Sequence, residues 1–152
     1  MITPTERKEL IALAADNRLL ASKALERAKV LRESLYAILR AEALETNAPP
    51  DEVKTVQKAV SESLRRRALC EADGVFFWGW ANDSSLEAVW LRVALSAASF
   101  LAGRQLRRSV RECPGPNCGW LFLDTSKAGR RRWCSDESCG SRSRVRRFRA
   151  RI

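Results

Sequence analysis

Apolar residues between positions 10 and 45 recur three or four residues apart, which is the spacing of one face of an α-helix. The sequence therefore predicts a long helical stretch, which Asp16–Asn17 divides into two pieces. Thr3, Pro4 and Glu6 predict its beginning, because a Thr with Glu three positions later forms a capping box and proline suits the first helical turn.

Thr46–Pro50 is predicted as a loop, because two adjacent prolines cannot continue a helix. Asp51 then caps a second helix. A third helix is predicted from a capping box at Ser84 and Glu87 to about Ser109. The apolar positions expected on the inner face of the second helix are Val53, Val56, Val60 and Leu64.

Between the second and third helices the pattern changes to that of β-structure. Ala68–Glu71 and Val75–Trp80 read as strands, and Gly74 supplies the turn between them, so a two-stranded hairpin is predicted. The aromatic side chains of the second strand could line a ligand pocket. We expect core packing instead, because aromatic residues dominate protein cores.

Four of the five cysteines form two matched pairs near the C-terminus. Cys113 and Cys118 enclose four residues, Cys134 and Cys139 enclose four, and fifteen residues separate the pairs. Two such short loops supply the four thiolates of a tetrahedral zinc site, and the chain contains no histidine. We predict a structural Zn²⁺, since four protein ligands leave no open position, and expect it to contribute about 10 kcal/mol to folding.

Two disulfides or four buried thiols are the alternatives. Disulfides need an oxidising compartment, and the polar N-terminus lacks the apolar region of a secretory signal. Zinc is therefore the preferred interpretation, and the remaining Cys70 is expected to be an isolated thiol.

The segment between the pairs predicts a second hairpin, with strands at Trp120–Asp124 and Arg130–Trp133, followed by a helix from Asp136 towards Arg151. The turn from Cys113 to Cys118, which we call the knuckle, is predicted to form a treble-clef-like zinc finger together with this hairpin and helix. Trp120 and Trp133 are expected in the core of this small module. An apolar stripe on the helix is expected to face the same core: Val145, Phe148 and Ile152.

The basic charge is concentrated in the same region. The chain carries a net charge of +10, of which +7 lies from residue 111 onward. Arginine forks match phosphate oxygens, so we predict a nucleic-acid surface rather than an ordinary solvated basic face. Its predicted members are Arg130, Arg131, Arg132, Arg142, Arg144, Arg146, Arg147, Arg149 and Arg151.

The segment from Trp120 to Arg151 resembles the CGNR zinc finger of bacterial proteins. That finger usually follows an α-helical ABATE domain, and its proteins are described as candidate stress-induced transcription regulators. The helix around residues 85–103 resembles ABATE more loosely. The residues that carry the resemblance in the finger are Cys113, Cys118, Trp120, Leu121, Phe122, Asp124, Arg131, Arg132, Trp133, Cys134, Ser135, Cys139, Gly140, Arg142, Val145, Arg146 and Arg147.

This chain departs from the family pattern in two places. Ser141 stands where the family has the Asn of Cys-Gly-Asn-Arg, and the usual N-terminal motif resembling LDFVNT is not found. An edge left bare by that segment could be covered by a second copy, so a homodimer is a hypothesis.

The expected fold class is mainly α. Residues 1–110 form a helical ABATE-like domain with a small β-hairpin, and residues 111–152 form a treble-clef-like four-cysteine zinc finger. Charged residues interrupt every apolar stretch, so no membrane span is predicted. The expected location is the cytoplasm, in association with the nucleoid.

The leading functional hypothesis is a zinc-dependent, DNA-binding transcription regulator that responds to stress, with any small-molecule effector unknown. A zinc-stabilised module that binds RNA or protein is the alternative, because the fold alone does not decide the partner. An enzyme is not expected, since the sequence offers no histidine, phosphate loop or matched carboxylate pair.

Overall fold

The computed structural model describes residues 2–80 and 85–150. The chain divides into two compact units. Unit 1 comprises Met1–Leu35 and Pro50–Ala102, and unit 2 comprises Tyr36–Pro49 and Gly103–Ile152. The fold is mainly helical with a small antiparallel hairpin, so the predicted fold class is confirmed. The predicted domain boundary at residue 110 stays a prediction.

The first two helices begin and end where their capping signals predict. Helix α1 spans Pro4–Asp16, and the backbone N–H groups and side chains of Thr3 and Glu6 complete the capping box. Asn17 ends α1, and helix α2 follows at Arg18–Ala43. The Asn17 Oδ1 accepts a hydrogen bond from the Leu20 N–H at 3.1 Å, so the break supplies a cap for the next helix.

The remaining elements of unit 1 are two helices and a hairpin. Helix α3 spans Pro50–Arg65, and helix α4 spans Ala88–Ala102. Strand β1 (Arg67–Ala72) pairs antiparallel with strand β2 (Val75–Trp80), as predicted. Both residues of the turn, Asp73 and Gly74, have positive φ, which matches the twist of a tight hairpin. The predicted cap at Ser84 lies outside the described residues.

Helices α3 and α4 pack together and form most of the core of unit 1. Their buried residues are Val56, Ala59, Ser63, Ala88, Trp90, Leu91 and Ala94. The predicted inner face of α3 is partly wrong, because Val53 and Leu64 are exposed while Ser63 is fully buried. The Ser63 hydroxyl lies within hydrogen-bonding distance of the Ala59 carbonyl on α3 and the Leu91 carbonyl on α4. This small polar side chain therefore connects the two helices at close range, whereas a larger apolar side chain would separate them.

An ion pair joins α1 to α4 within unit 1. The Arg92 guanidinium donates to Glu6 Oε1 at 2.7 Å. This hydrogen bond and a second one from the Thr3 N–H lower the pKa of Glu6 from 4.5 to about 2. Ionised Glu6 therefore stabilises the fold above its ordinary pKa, and this contribution is lost as the pH falls through the folded-state value.

Replacing Glu6 with Gln is therefore expected to lower the melting temperature at neutral pH and to flatten its decline between pH 4.5 and 2. Thermal unfolding followed by circular dichroism over this pH range tests the expectation. Glu9→Gln is the matched control, since Glu9 is exposed on the same helix and forms no ion pair with any described residue. If the melting temperature declined equally steeply between pH 4.5 and 2 in both variants, Glu6 would not be the source of this acid sensitivity.

The C-terminal part of unit 2 is built on two short strands and a helix. Strand β3 (Val110–Glu112) pairs antiparallel with strand β4 (Leu121–Leu123), and helix α5 spans Ser141–Arg149. The predicted return strand at Arg130–Trp133 is wrong, because those residues form no strand. Strand β4 pairs instead with the segment before Cys113, so the hairpin carries the first cysteine pair at its tip.

The third predicted helix ends earlier than expected. Helix α4 stops at Ala102, a single 3₁₀ turn covers Gly103–Leu106, and β3 begins at Val110. Glycine at position 103 disfavours continuation of the helix. Among the described residues, the structure contains no helix long and apolar enough to cross a membrane.

Candidate metal centre and nucleic-acid interface

The first cysteine pair lies at the tip of the β3–β4 hairpin. The Cys113 N–H donates to the Trp120 carbonyl at 2.9 Å and continues the strand pairing by one residue. The Cys118 N–H donates to the Gly115 carbonyl at 3.1 Å, which closes the turn. Asn117 has a φ of 56°, a left-handed conformation that asparagine tolerates. These bonds bring both side chains to the same side of the turn.

The second pair lies at the beginning of the C-terminal helical segment. The Ser135 hydroxyl accepts a hydrogen bond from the Ser138 N–H at 3.3 Å and caps this segment. One π-helical turn, Asp136–Gly140, precedes α5. Cys139 lies within this wider turn and Cys134 directly before its cap. The segment therefore places both thiols at the positive end of the helix dipole.

The ligand atoms of the four cysteines lie within 4.8 Å of one another. The Cys118 Sγ is 3.6 Å from the Cys134 Sγ and 3.6 Å from the Cys139 Sγ, and the last two are 3.7 Å apart. All four thiols are free of disulfides. Zinc–sulfur bonds of about 2.3 Å in a tetrahedron place sulfur atoms about 3.8 Å apart, so the cluster fits this metal.

Two glycines permit this close approach. A Cβ atom on Gly115 would lie 3.1 Å from the Cys139 Sγ, which is closer than ordinary packing allows, and would touch the Cys113 Sγ at 3.5 Å. A Cβ on Gly140 would lie 2.4 Å from the Asp136 Oδ1. Glycine at these positions therefore lets the knuckle and the helical turn close around one point.

The protonation of the thiols also suits a cation. Burial opposes ionisation of Cys113, but backbone hydrogen bonds from Cys134 and Gly115 outweigh it and lower its pKa to about 7. Burial and the neighbouring thiols raise the pKa of Cys134 to about 12. The hydrogen bond with Cys118 is the main cause that raises the pKa of Cys139. A divalent cation would offset the repulsion between thiolates and allow all four to ionise.

The last turns of α2 belong to unit 2 and hold the knuckle from outside. The Tyr36 hydroxyl donates to the Gly119 carbonyl at 3.0 Å, and Arg40 pairs with Glu112 at 3.2 Å.

Glu42, near the end of α2, makes a second set of contacts within unit 2. Its carboxylate accepts a hydrogen bond from the Val110 N–H at 2.8 Å. Glu42 also pairs with Arg104 and Arg107, and the Arg107 bond is the main cause that lowers its pKa. Sequence reasoning missed these residues, because their partners lie more than 60 positions away.

The loop between β4 and Cys134 is organised by Asp124, which is only 3% exposed. Its carboxylate accepts the hydroxyl and N–H of Ser126 at 2.6 and 3.0 Å. It also accepts the Arg131 N–H at 3.0 Å and pairs with Arg111 at 3.2 Å. The Ser126 hydroxyl is the largest of the influences that lower the pKa of Asp124. A single buried carboxylate thus replaces the predicted strand pairing.

Two of the arginines predicted to bind nucleic acid make bonds within unit 2. The Arg131 guanidinium donates to the Trp133 and Cys134 carbonyls and lies over the Phe122 ring. Arg144 pairs with Asp136 at 3.0 Å and donates to the hydroxyl of Ser141 at 3.0 Å. The Ser141 hydroxyl, at the position of the family Asn, donates to the Asp136 carbonyl at 3.3 Å and so joins α5 to the turn that carries Cys139.

The other predicted arginines are exposed and form no ion pair with any residue in the described part of the chain. Three of the four acidic residues of the finger, Glu112, Asp124 and Asp136, are paired with Arg40, Arg111 and Arg144. Positive charge therefore remains uncompensated on this surface. Its members are Arg130, Arg132, Arg142, Arg146, Arg147 and Arg149, and the predicted Arg151 lies outside the described residues.

The predicted apolar stripe of α5 does not face a core. Val145 is 50% exposed and Phe148 is 68% exposed, and Ile152 lies outside the described residues. Helix α5 packs mainly on the preceding π-helical turn, so only its beginning is covered by protein. Trp120 is also 70% exposed, so the prediction of a core position is wrong for this residue, whereas Trp133 is half-buried.

Two family models match successive parts of this sequence. The model described as "ABATE: Putative stress-induced transcription regulator" matches residues 5–104, which is more than half of the chain. The chain belongs to the ABATE family. The CGNR zinc finger matches residues 109–152, the region of the four-cysteine cluster, and neither ABATE nor CGNR is described as an enzyme. A search of curated proteins found no match to the chain.

Proposed function

We propose that this ABATE-family chain is a zinc-dependent DNA-binding regulator of transcription. Four thiolates hold a structural Zn²⁺: Cys113, Cys118, Cys134 and Cys139. The spacing of 3.6–3.7 Å among the Sγ atoms of Cys118, Cys134 and Cys139 supports this assignment, as does the position of all four ligand atoms within 4.8 Å of one another. With four protein ligands the metal has no open position, so its role is to fix the knuckle and the helical turn rather than to catalyse a reaction.

The observation that carries the DNA proposal is the uncompensated arginine surface of unit 2. Arg142, Arg146 and Arg149 are spaced by four and three residues, so they share one face of α5 with Val145. This face borders a shallow depression of about 640 Å³. A helix of this kind fits the major groove, where arginine reads guanine and an apolar side chain contacts the thymine methyl group.

The remaining exposed arginines suit a positioning role. Arg130 and Arg132 lie on the loop after Asp124, and Arg147 lies beside the main face of α5. Contacts from such residues to phosphates fix the orientation of a protein on the duplex without reading its sequence. A cytoplasmic, nucleoid-associated location follows from this function, and a response to stress follows from the family description.

A module that binds single-stranded nucleic acid is the second candidate. The exposed rings of Trp120 and Phe148 favour it, because unstacked bases pack on aromatic side chains beside arginine. A mobility shift of the zinc-loaded protein with its own promoter region separates the two candidates. Retention that survives scrambled duplex but yields to unlabelled promoter supports the regulator. Equal competition by single-stranded RNA and by scrambled duplex would reject sequence-specific DNA binding.

The two neighbouring arginines Arg131 and Arg132 give a matched pair of variants. Arg131→Ala removes the hydrogen-bond donors to the Trp133 and Cys134 carbonyls. Zinc affinity is therefore expected to fall about 10- to 100-fold. Arg132→Ala should leave zinc affinity unchanged and weaken DNA binding. Competition with a chromophoric chelator measures the first effect and fluorescence anisotropy the second. Equal zinc affinity in the two variants would contradict the structural role of Arg131.

A further inference from the structure

The β1–β2 hairpin of unit 1 presents large apolar side chains on both of its faces. The predicted core packing of its aromatics is wrong, since Phe76, Phe77 and Trp78 are 70%, 48% and 64% exposed. Val75 is 64% exposed as well. Phe76 and Trp78 lie on one face, and Val75 and Phe77 lie on the other, because side chains alternate along a strand.

The hairpin lacks the neighbours that such a structure normally needs. Within the described residues, each strand pairs only with the other, and neither packs extensively on a helix. An isolated two-stranded hairpin is marginally stable in water and usually requires a third strand or a covering element. A partner on this hairpin would therefore stabilise its fold as well as cover its apolar side chains.

The two outer edges of the hairpin differ in their chemistry. Strand β1 carries Arg67 and Glu71, and charges of this kind discourage further strand pairing. Strand β2, with the sequence VFFWGW, carries no charge and no proline over its six residues. Natural proteins rarely leave such an edge unprotected, so β2 is the edge suited to pairing.

We propose that β2 pairs antiparallel with β2 of a second copy of this chain, which gives a four-stranded sheet in a homodimer. An added strand at this edge contacts side chains on both faces at once, whereas a partner stacked on one face would leave the other exposed. The same uncharged strand on both sides makes a self-complementary contact, as two-fold symmetry requires.

Two-fold symmetry also restricts the register. The axis of an antiparallel pair within one sheet is perpendicular to the sheet, so opposing residues lie on the same face. The register that pairs most aromatic rings places Phe77 opposite Phe77 of the partner subunit. Phe76 then lies opposite Trp78 of the partner subunit, and this aromatic pair occurs twice. Cross-strand aromatic pairs are among the stabilising contacts of sheets.

The exposed area is sufficient for a modest interface. Val75, Phe76, Phe77 and Trp78 together expose about 450 Å² of apolar side chain per protomer, given that aromatic side chains present about 150–250 Å² each. The backbone edge adds to this area. Complete burial of this area in both protomers would give roughly 1,000 Å², the lower limit of a specific interface, and edge pairing covers only part of it. We therefore expect dimerisation to depend on protein concentration.

Sedimentation velocity of the zinc-loaded chain tests the proposal. The expected mass is about 34 kDa, twice the 17.1 kDa of one chain, and it should fall on dilution. Moderate salt is used because the net charge of +10 makes two copies repel. Amide hydrogen exchange of Val75–Trp80 should slow as concentration rises. A mass of one chain at every concentration, with exchange in β2 independent of concentration, would overturn the proposal.

Charge substitutions at the symmetry axis test the register. Phe77→Lys and Phe77→Glu should each weaken dimerisation about 100-fold or more, because two like charges meet at the centre. Mixing the two variants should restore a dimer through an ion pair. Leu69→Lys is the matched control, since Leu69 is 61% exposed on the same hairpin but lies on β1. Dimers that persist in Phe77→Lys, or monomers in Leu69→Lys with unchanged circular dichroism, would place the interface elsewhere.

Discussion

Replacing Cys134 with Ser is expected to remove zinc from the protein and to unfold the finger. The Cys134 Sγ lies 3.6 Å from the Cys118 Sγ and 3.7 Å from the Cys139 Sγ, so it connects the knuckle to the helical segment. A serine hydroxyl is a poor ligand beside three thiolates. The zinc-binding free energy of small fingers, about 10–16 kcal/mol, is also their folding free energy, so the loss should be complete in practice.

Two measurements separate this loss from general unfolding. Native mass spectrometry reports the zinc content, and hydrogen exchange reports each segment. We expect rapid exchange in β3, β4 and α5, while α3 and α4 keep their protection, because the core of those helices is apolar and independent of the cysteines. A chelator should have the same effect on the unsubstituted chain.

Cys70→Ser is the matched control, since Cys70 lies on β1, outside the four-cysteine cluster. This variant should keep one zinc ion per chain and its affinity for DNA. Full zinc content in Cys134→Ser would refute the ligand assignment. A zinc-free Cys134→Ser protein with a protected finger would refute the structural role of the metal.

Local signals in the sequence predicted local structure well. The capping box of α1, the break at Asn17 and the turn at Gly74 all involve residues within four positions of one another. Their chemistry is the same in a short peptide and in the folded chain. The spacing of the cysteine pairs likewise predicted that the four thiols would meet, because each pair closes its own turn.

Longer-range structure was not available from such signals. The sequence predicted a strand at β4, but its partner was misplaced, because a candidate segment lies close to β4 along the chain on either side of it. A buried carboxylate, Asp124, replaced the predicted partner strand by holding the backbone of Arg131. The contacts of Tyr36 and Glu42 join residues more than 60 positions apart, and no pattern in one sequence marks them.

The count of arginines could not show which of them make bonds within the finger, and the contacts of all nine with nucleic acid stay a prediction. Arg131 and Arg144 satisfy carbonyl and carboxylate oxygens of the finger itself, so their charges help to fold it. The contribution of an arginine to binding depends on whether an internal acceptor lies nearby. The burial of an aromatic side chain likewise depends on its tertiary neighbours. The aromatic residues of β2 and Phe148 are exposed because few other elements pack against them.

The affinity of the zinc-loaded chain for DNA is expected to fall about 10³-fold between 50 and 200 mM salt. Six exposed arginines form no ion pair with any described residue of the chain, and each brings one uncompensated positive charge to the phosphate backbone, whether or not it also reaches a base. Counterion release then gives a slope of log affinity against log salt of roughly −5. Fluorescence anisotropy titrations over a salt series measure this slope directly.

Replacing both Arg146 and Arg147 with Ala should reduce the magnitude of that slope by about 2, since each phosphate contact contributes about 0.9. Zinc content should not change, because both side chains are exposed and neither forms an ion pair with any described residue. Lys58→Ala combined with Arg65→Ala is the charge-matched control, since both residues lie exposed on α3 in unit 1. It should leave the slope unchanged.

The slope and its change together distinguish three kinds of binding surface. A steep slope that the double variant does not alter would mean that α5 is not the contact and that other basic residues hold the phosphates. A shallow slope with sequence preference would mean that Arg142, Val145 and Arg149 read bases with few phosphate contacts. A shallow slope without preference would leave the arginine surface free for an acidic protein partner, and the DNA proposal would then be rejected.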